Sequence, residues 1–192
     1  MAGHKRKRSS KIKNLLGTVL SLLLVYSFMV SFATLAAGTT SFWMSVVSDS
    51  MSHKDNPNWR VYFENREERR WLLSKYGIPL TEDVLRTYDT SKFPVKEGFQ
   101  RGDLIIVKGV SSISEISVGD VIVMRGKNGG LPMTHRVLAI WQKDGEIRLI
   151  TKGDHNPFPL PQEREIQPED IIGKVVYVVP KLGWPSIIVQ GR

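Results

Sequence analysis

The chain has 192 residues, 41% of them hydrophobic and 24% charged, enough for one folded domain and a membrane anchor and not the make-up of a disordered chain. It contains no cysteine, which excludes disulfides, zinc-thiolate sites and thiol nucleophiles, so any covalent catalysis must use oxygen or nitrogen. The formal charge of +8 does not argue for nucleic acid, because residues 1–13 hold six cations (Lys5, Arg6, Lys7, Arg8, Lys11, Lys13) and no acid, which leaves the remainder close to neutral.

From Asn14 to Ser48 no charged residue occurs. The stretch from Leu15 to Ala37, roughly 23 residues at about 1.5 Å each, covers about 34 Å and can cross a hydrocarbon core of about 30 Å. We therefore expect a basic cytoplasmic tail over 1–13, a transmembrane helix over 14–38, and an extracytoplasmic domain over 39–192, with orientation set by the positive flank. "ATLAAG" resembles a cleavage site for small residues, but the apolar run is longer than the usual 7 to 15 residues of a signal peptide, which favours a retained anchor.

Past the anchor, "VVSDSMSHK" at 46–54 is either a turn capped by Ser and Asp or a nucleophile's setting. Residues 55–98 read as a small helical insert: "REERRWLLSKYG" predicts an amphipathic helix ended by Gly77, and "LTEDVLRTY" predicts another with Thr81 as N-cap. From Gly102 onward the signal is β. "DLIIVKGV", "DVIVMRG", "MTHRVLAIWQ", "EIRLITKG" and "KVVYVVP" are short Val- and Ile-rich runs separated by turn residues. Asn128-Gly129 and Asp144-Gly145 predict hairpins, making 118–152 a three-stranded meander with His135 on its middle strand. The C-terminal patch of Trp184, Ile187, Ile188 and Val189 is too short to span, and fits either a core edge or a lipid contact.

Behind one N-terminal anchor, "SDSM" at 48–51, the paired strand starts "RGDLIIV" and "VGDVIVM", "HRV" at 135–137 and "GDHN" at 153–156 follow in an order that resembles the type I signal peptidase family, in its archaeal and endoplasmic-reticulum branch, where histidine replaces lysine. The resemblance implies a mostly β, signal-peptidase-like antiparallel catalytic domain with the helical insert outside the shared boxes. It implies Ser50 as nucleophile, His135 as general base, Ser48 as a hydroxyl donor to the oxyanion, and Met51 as part of the substrate groove's floor. An imidazole, with an ordinary pKa near 6.5, can take a hydroxyl proton and return it to a leaving amine without a metal, so no cofactor is expected. Lys108 and Lys152 are the alternative bases, and a purely structural role for His135 stays open. His4 falls on the cytoplasmic side; His53 stands where the family often has proline, a departure that alters the loop; His155 reads as a solvated turn residue.

The orienting acid departs from the family pattern. Asp154 matches the first of two acids, but Pro159 and Leu160 occupy the region where the second would fall. Asp154 is ranked first for orienting His135, ahead of Glu163 or Glu165 reaching in from a shifted loop, or a plain Ser-His dyad. The implied function is a membrane-anchored serine endopeptidase that removes signal peptides from exported preproteins at a cell membrane, its partners being those preproteins, the lipid bilayer and the protein-translocation channel, and no nucleic acid. The alternatives are a self-cleaving serine peptidase of related fold and a catalytically degenerate anchored β-domain that binds exported peptides.

Overall fold

Residues 2–54, 56–126 and 130–191 are described by a computed structural model and divide into two units, Met1–Ala37 and Gly38–Arg192. The first unit is a single helix, α1 (Ala2–Ala37), whose Lys13–Ala37 portion is long and apolar enough to cross a membrane. Two of its hydroxyls bond within the helix: Thr18 Oγ1 donates to the Asn14 carbonyl at 3.0 Å and Ser21 Oγ to the Gly17 carbonyl at 2.9 Å. Such back-bonding satisfies a hydroxyl within its own helix.

The second unit is built on one six-stranded sheet: β1 (Trp43–Ser45), β2 (Leu104–Gly109), β3 (Val121–Met124), β4 (Met133–Lys143), β5 (Glu146–Lys152) and β6 (Ile171–Val179). The order is β1-β2-β6-β3-β4-β5 and every pairing is antiparallel, so the mostly β fold expected from the sequence is the one adopted. β3, β4 and β5 form the expected meander with His135 on the middle strand, opposite Ile122. The β4–β5 turn has Asp144 at φ 53° and Gly145 at φ 83°, the left-handed pair that a two-residue hairpin demands. The Asn128-Gly129 turn lies outside the described residues. The two Gly-Asp strand starts use one device: Asp103 accepts from the Gln100 amide at 2.9 Å and Asp120 from the Ser117 amide at 3.0 Å, closing the turn that feeds each strand.

The insert carries α2 (Val61–Glu64) and α3 (Arg66–Lys75), the latter capped by the Asn65 side chain and ended at Tyr76 and Gly77 as expected. Its Trp59, Phe63, Leu72 and Leu73 pack on Leu138, Trp141 and Ile150 of β4 and β5. The second helix expected over "LTEDVLRTY" is reduced to one turn, in which the Leu85 amide reaches the Thr81 carbonyl. Propagation would need the Val84 carbonyl to accept from the Tyr88 amide. Instead Arg69 Nε takes the Val84 carbonyl at 2.7 Å and the Tyr88 amide donates to Phe63. At the C-terminus, α4 (Trp184–Val189) buries Ile187 and leaves Ile188 and Val189 exposed.

Arg69 is buried with no carboxylate partner among the described residues, its guanidinium spread over the carbonyls of Val84, Tyr62 and Leu138 and lying 5.2 Å from the Tyr88 ring. Burial pushes it down to about 10. It joins three segments of chain, so Arg69→Met, which strands three carbonyls at about 1 kcal/mol or more each, is expected to lower unfolding free energy by about 2–4 kcal/mol in denaturant titrations; an unchanged midpoint contradicts the role.

Candidate active site

Alternation along β4 puts His135 and Val137 on one face and Arg136 and Leu138 on the other. On the first face, Ser50 Oγ lies 2.9 Å from His135 Nε2, and His135 Nδ1 is hydrogen-bonded to Glu163 Oε1. Ser50 is half-buried, while His135 and Glu163 are 3% and 0% exposed. Glu163 is fixed by two further donors: Thr151 Oγ1 gives to Oε1 at 3.0 Å and the Leu160 amide to Oε2 at 2.7 Å. The antiparallel bridge between Leu149 and Ile166 ties its loop to β5.

With Nδ1–H turned to the carboxylate, Nε2 is the acceptor and Ser50 the donor. The Ser50 loop is pinned on both flanks: its own carbonyl accepts from the His155 amide at 2.9 Å, Met51's from the Phe99 amide at 3.1 Å, and Asp49 Oδ1 from the Arg101 amide at 2.9 Å. Ser48 is exposed with its Oγ 3.3 Å from Ser50 Oγ, and the Ser50 amide donates to no protein acceptor among the described residues. Gly153 must lack a side chain, since a Cβ there would sit 2.6 Å from the Ser50 carbonyl and 3.0 Å from His135 Nε2.

Asp154 departs from its expected place. Its carboxylate makes no hydrogen bond to His135; it accepts from Arg136 Nε at 3.0 and 3.1 Å, Arg136 Nη2 at 2.7 Å and His53 Nε2 at 2.8 Å on the opposite face of β4. The reason is the neighbouring guanidinium. Arg136 is 0% exposed, and among the described residues Asp154 is the carboxylate that pairs with it. Burial alone would raise the Asp154 carboxyl, but the His53 hydrogen bond and the Arg136 charge outweigh it and hold the group below the ordinary carboxylate range.

Glu165 is exposed and pairs with Lys143 at 2.6 Å, away from His135. Of the alternative bases, Lys108 is exposed beside Glu115, and Lys152 is buried, its ammonium given to the carbonyls of Gly153 at 2.7 Å and Asn156 at 2.8 Å. Burial, against the pull of Asp154 and Glu163, pushes Lys152 down to about 8. Met51 is 0% exposed in the core with Val46, Phe99 and Ile105 and lines no part of the cleft. A cleft of about 390 Å³ does open beside Ser50 and His135, walled by Met44, Val46, Phe99, Ile105, Met133 and Leu160. Among the described residues no group of three or more His, Asp or Glu side chains could hold a metal. Sequence reasoning had no role for Thr151, Arg136 or Asn56; the one signal for Arg136 was its place beside His135 in the "HRV" box.

A hydroxyl, an imidazole and a carboxylate in this order form the arrangement used for nucleophilic attack on carbonyls. No family model matches the chain. It is similar to the signal peptidase complex catalytic subunits SEC11 of Colletotrichum graminicola (35% identical over 104 residues), sec11 of Neurospora crassa (31% over 102) and SEC11 of Verticillium alfalfae (30% over 101). The matches cover 50% of this chain, and they span 59% of the length of the curated relatives. The resemblance to signal peptidases, carried by the sequence boxes, is borne out by these relatives, which are named as signal peptidase complex catalytic subunits.

The Asp154 carboxyl binds its proton less readily in the folded chain than in the unfolded one. Its contribution to stability is therefore complete above the unfolded carboxylate pKa of about 3.9 and drains away as pH falls through the lower folded value. Asp154→Asn is expected to cost about 3–5 kcal/mol at neutral pH, by stranding the Arg136 charge, and to flatten the acid limb of the stability profile. Denaturant unfolding at neutral and acid pH measures both; equal stability of the two chains at neutral pH contradicts it.

Proposed function

We propose that the chain is a membrane-anchored serine endopeptidase that removes N-terminal signal peptides from exported preproteins, with Ser50 as nucleophile, His135 as general base and Glu163 as the orienting acid. The observation that carries this reading is Ser50 Oγ at 2.9 Å from an imidazole whose other nitrogen meets a fully buried carboxylate. The similarity to SEC11 subunits supports the substrate class.

In the proposed reaction His135 Nε2 takes the Ser50 proton as Oγ attacks the scissile carbonyl, and returns it to the departing amine. Glu163 holds the imidazole in the Nδ1–H tautomer and stabilises the imidazolium. The Ser50 amide and the Ser48 hydroxyl are the donors to the oxyanion. Water then cleaves the acyl-serine by the same proton path.

An extended peptide suits the cleft. β1 pairs with β2 on one side only, and Met133–His135 lie before the first β4–β5 pair at Arg136 and Lys152, so two strand edges with free backbone groups border the space beside Ser50. A substrate strand between them would be held by main-chain bonds, with side chains entering shallow apolar pockets.

The domain plan that fits is a basic cytoplasmic tail over 1–13, a span over 14–38 and an extracytoplasmic peptidase domain over 39–192 with its insert at about 55–98. Anchoring in the bilayer that also holds the signal peptide's apolar segment raises the substrate's effective concentration without extra contacts. The relatives are named as subunits of a complex, and the insert, outside the shared boxes, is a candidate surface for companion subunits. The peptide-binding alternative rested on a missing acid; Glu163 supplies one.

Processing of a preprotein by the full chain in detergent tests the reading. Ser50→Ala is expected to abolish it. Glu163→Gln should lower kcat by up to roughly 10⁴-fold, since the amide favours the wrong tautomer. Ser48→Ala should cost about 10²- to 10³-fold in kcat with KM little changed. Equal processing by wild type and Ser50→Ala would refute Ser50 as the nucleophile, and no processing by either would hand the case to the binding domain.

A further inference from the structure

The mechanism above makes no use of His53, although it stands three residues from Ser50 and its ring is largely buried. Its Nε2 lies 2.8 Å from Asp154 Oδ2. Because that carboxylate is held ionised beside Arg136, it can only accept, so Nε2 carries the proton and donates. The ring itself is not free to turn. It stacks on Trp59 with centroids 4.5 Å apart and an 18° tilt, and Gly98 closes the other approach. Gly98, at φ +67°, tolerates no side chain: a Cβ would lie 2.9 Å from His53 Nε2 and 2.3 Å from the Met51 carbonyl.

Asp154 is the point where the two halves of the site are joined. On one side it grips Arg136, the neighbour of His135 on β4, and Arg136 is itself immobilised by the carbonyls of Pro94, Gly119 and Val95, each at 2.9 Å. On the other side its own turn touches the nucleophile, since the His155 amide donates to the Ser50 carbonyl at 2.9 Å and Gly153 fills the gap between Ser50 and His135. Among the described residues, His53 provides the sole side-chain bond from the Ser50 loop to the Asp154 carboxylate; Asn56 reaches only its carbonyl, at 2.7 Å.

We propose that His53 is a positioning residue for the Ser50–His135 pair: by donating to Asp154 while stacked on Trp59, it fixes the nucleophile's loop to the strand that carries the base. This rests on the serine-peptidase reading. Without the donor, the loop loses its side-chain tie through the Asp154 carboxylate to Arg136 of β4, Ser50 Oγ drifts from His135 Nε2, and the chemical step slows while peptide binding in the cleft does not.

The test compares wild type, Ser50→Ala, His53→Phe and His53→Gln, all as full chain in detergent on one preprotein, with thermal unfolding of each. Phenylalanine keeps the stacking and removes the donor. Glutamine restores an N–H near the place of Nε2. The expected result is a kcat lowered roughly ten- to hundredfold in His53→Phe, KM within about twofold, and His53→Gln recovering most of the loss. Full kcat in His53→Phe, or equal loss in both variants, overturns the proposal while leaving Ser50 catalysis intact. Should His53→Phe fail to fold, His53→Leu against His53→Gln puts the same question. If Ser50→Ala processes as wild type does, the serine-peptidase reading fails first and takes this one with it.

Discussion

A guanidinium with no solvent exposure sits beside the candidate base, and everything around it is arranged to make that tolerable. Arg136 has five donors, and every contact is spent on an acceptor: the Asp154 carboxylate and three backbone carbonyls, with the Trp59 ring 4.7 Å from its centre. Removing either member would leave a buried charge uncompensated, several kcal/mol against a domain's modest net stability. The pair therefore dictates where the 153–156 turn lies, where the insert's Trp59 packs, and how the Ser50 loop approaches β4.

That constraint also explains the division of labour among the acids. One strand carries two adjacent residues that both need a carboxylate, and alternation sends them to opposite faces. Asp154, coming directly off β5, reaches the Arg136 face; Glu163, nine residues further, is folded back by the Leu149–Ile166 bridge to the His135 face. Thr151 and the Leu160 amide then fix Glu163 where it meets Nδ1. Two carboxylates in one small region thus serve separate cations or cation-formers.

Much of this was legible from residue order, and the remainder was not for definable reasons. The strands, the helix stop at Gly77, the Asp144-Gly145 turn and the approach of Ser50 to His135 follow from local pattern and motif order. The helix expected after Thr81 fails because a guanidinium fifteen residues earlier claims the Val84 carbonyl, a tertiary contact that no local propensity encodes. Asp154 ranks above Glu163 in the sequence because the resemblance matches it to the aspartate of the "GD" box; the burial of Arg136, which claims Asp154, becomes apparent only when the faces of β4 are assigned. Met51 read as groove lining from its box, whereas Phe99 and Ile105 line the cleft. His53 read as a loop variation, and its partner lies 101 residues away.

The proposed chemistry places an activated alcohol at the end of a short apolar cleft, in a domain that follows a membrane-length helix, which is what a peptidase acting on lipid-embedded leaders requires. Its central element is proton transfer from Ser50 to His135. The most direct measurement is mass spectrometry of the full chain after exposure to a peptidyl fluorophosphonate, which phosphonylates only an activated serine hydroxyl. The account predicts one adduct, on Ser50, abolished in His135→Ala; labelling of Ser50 at the same rate with and without the imidazole would contradict it.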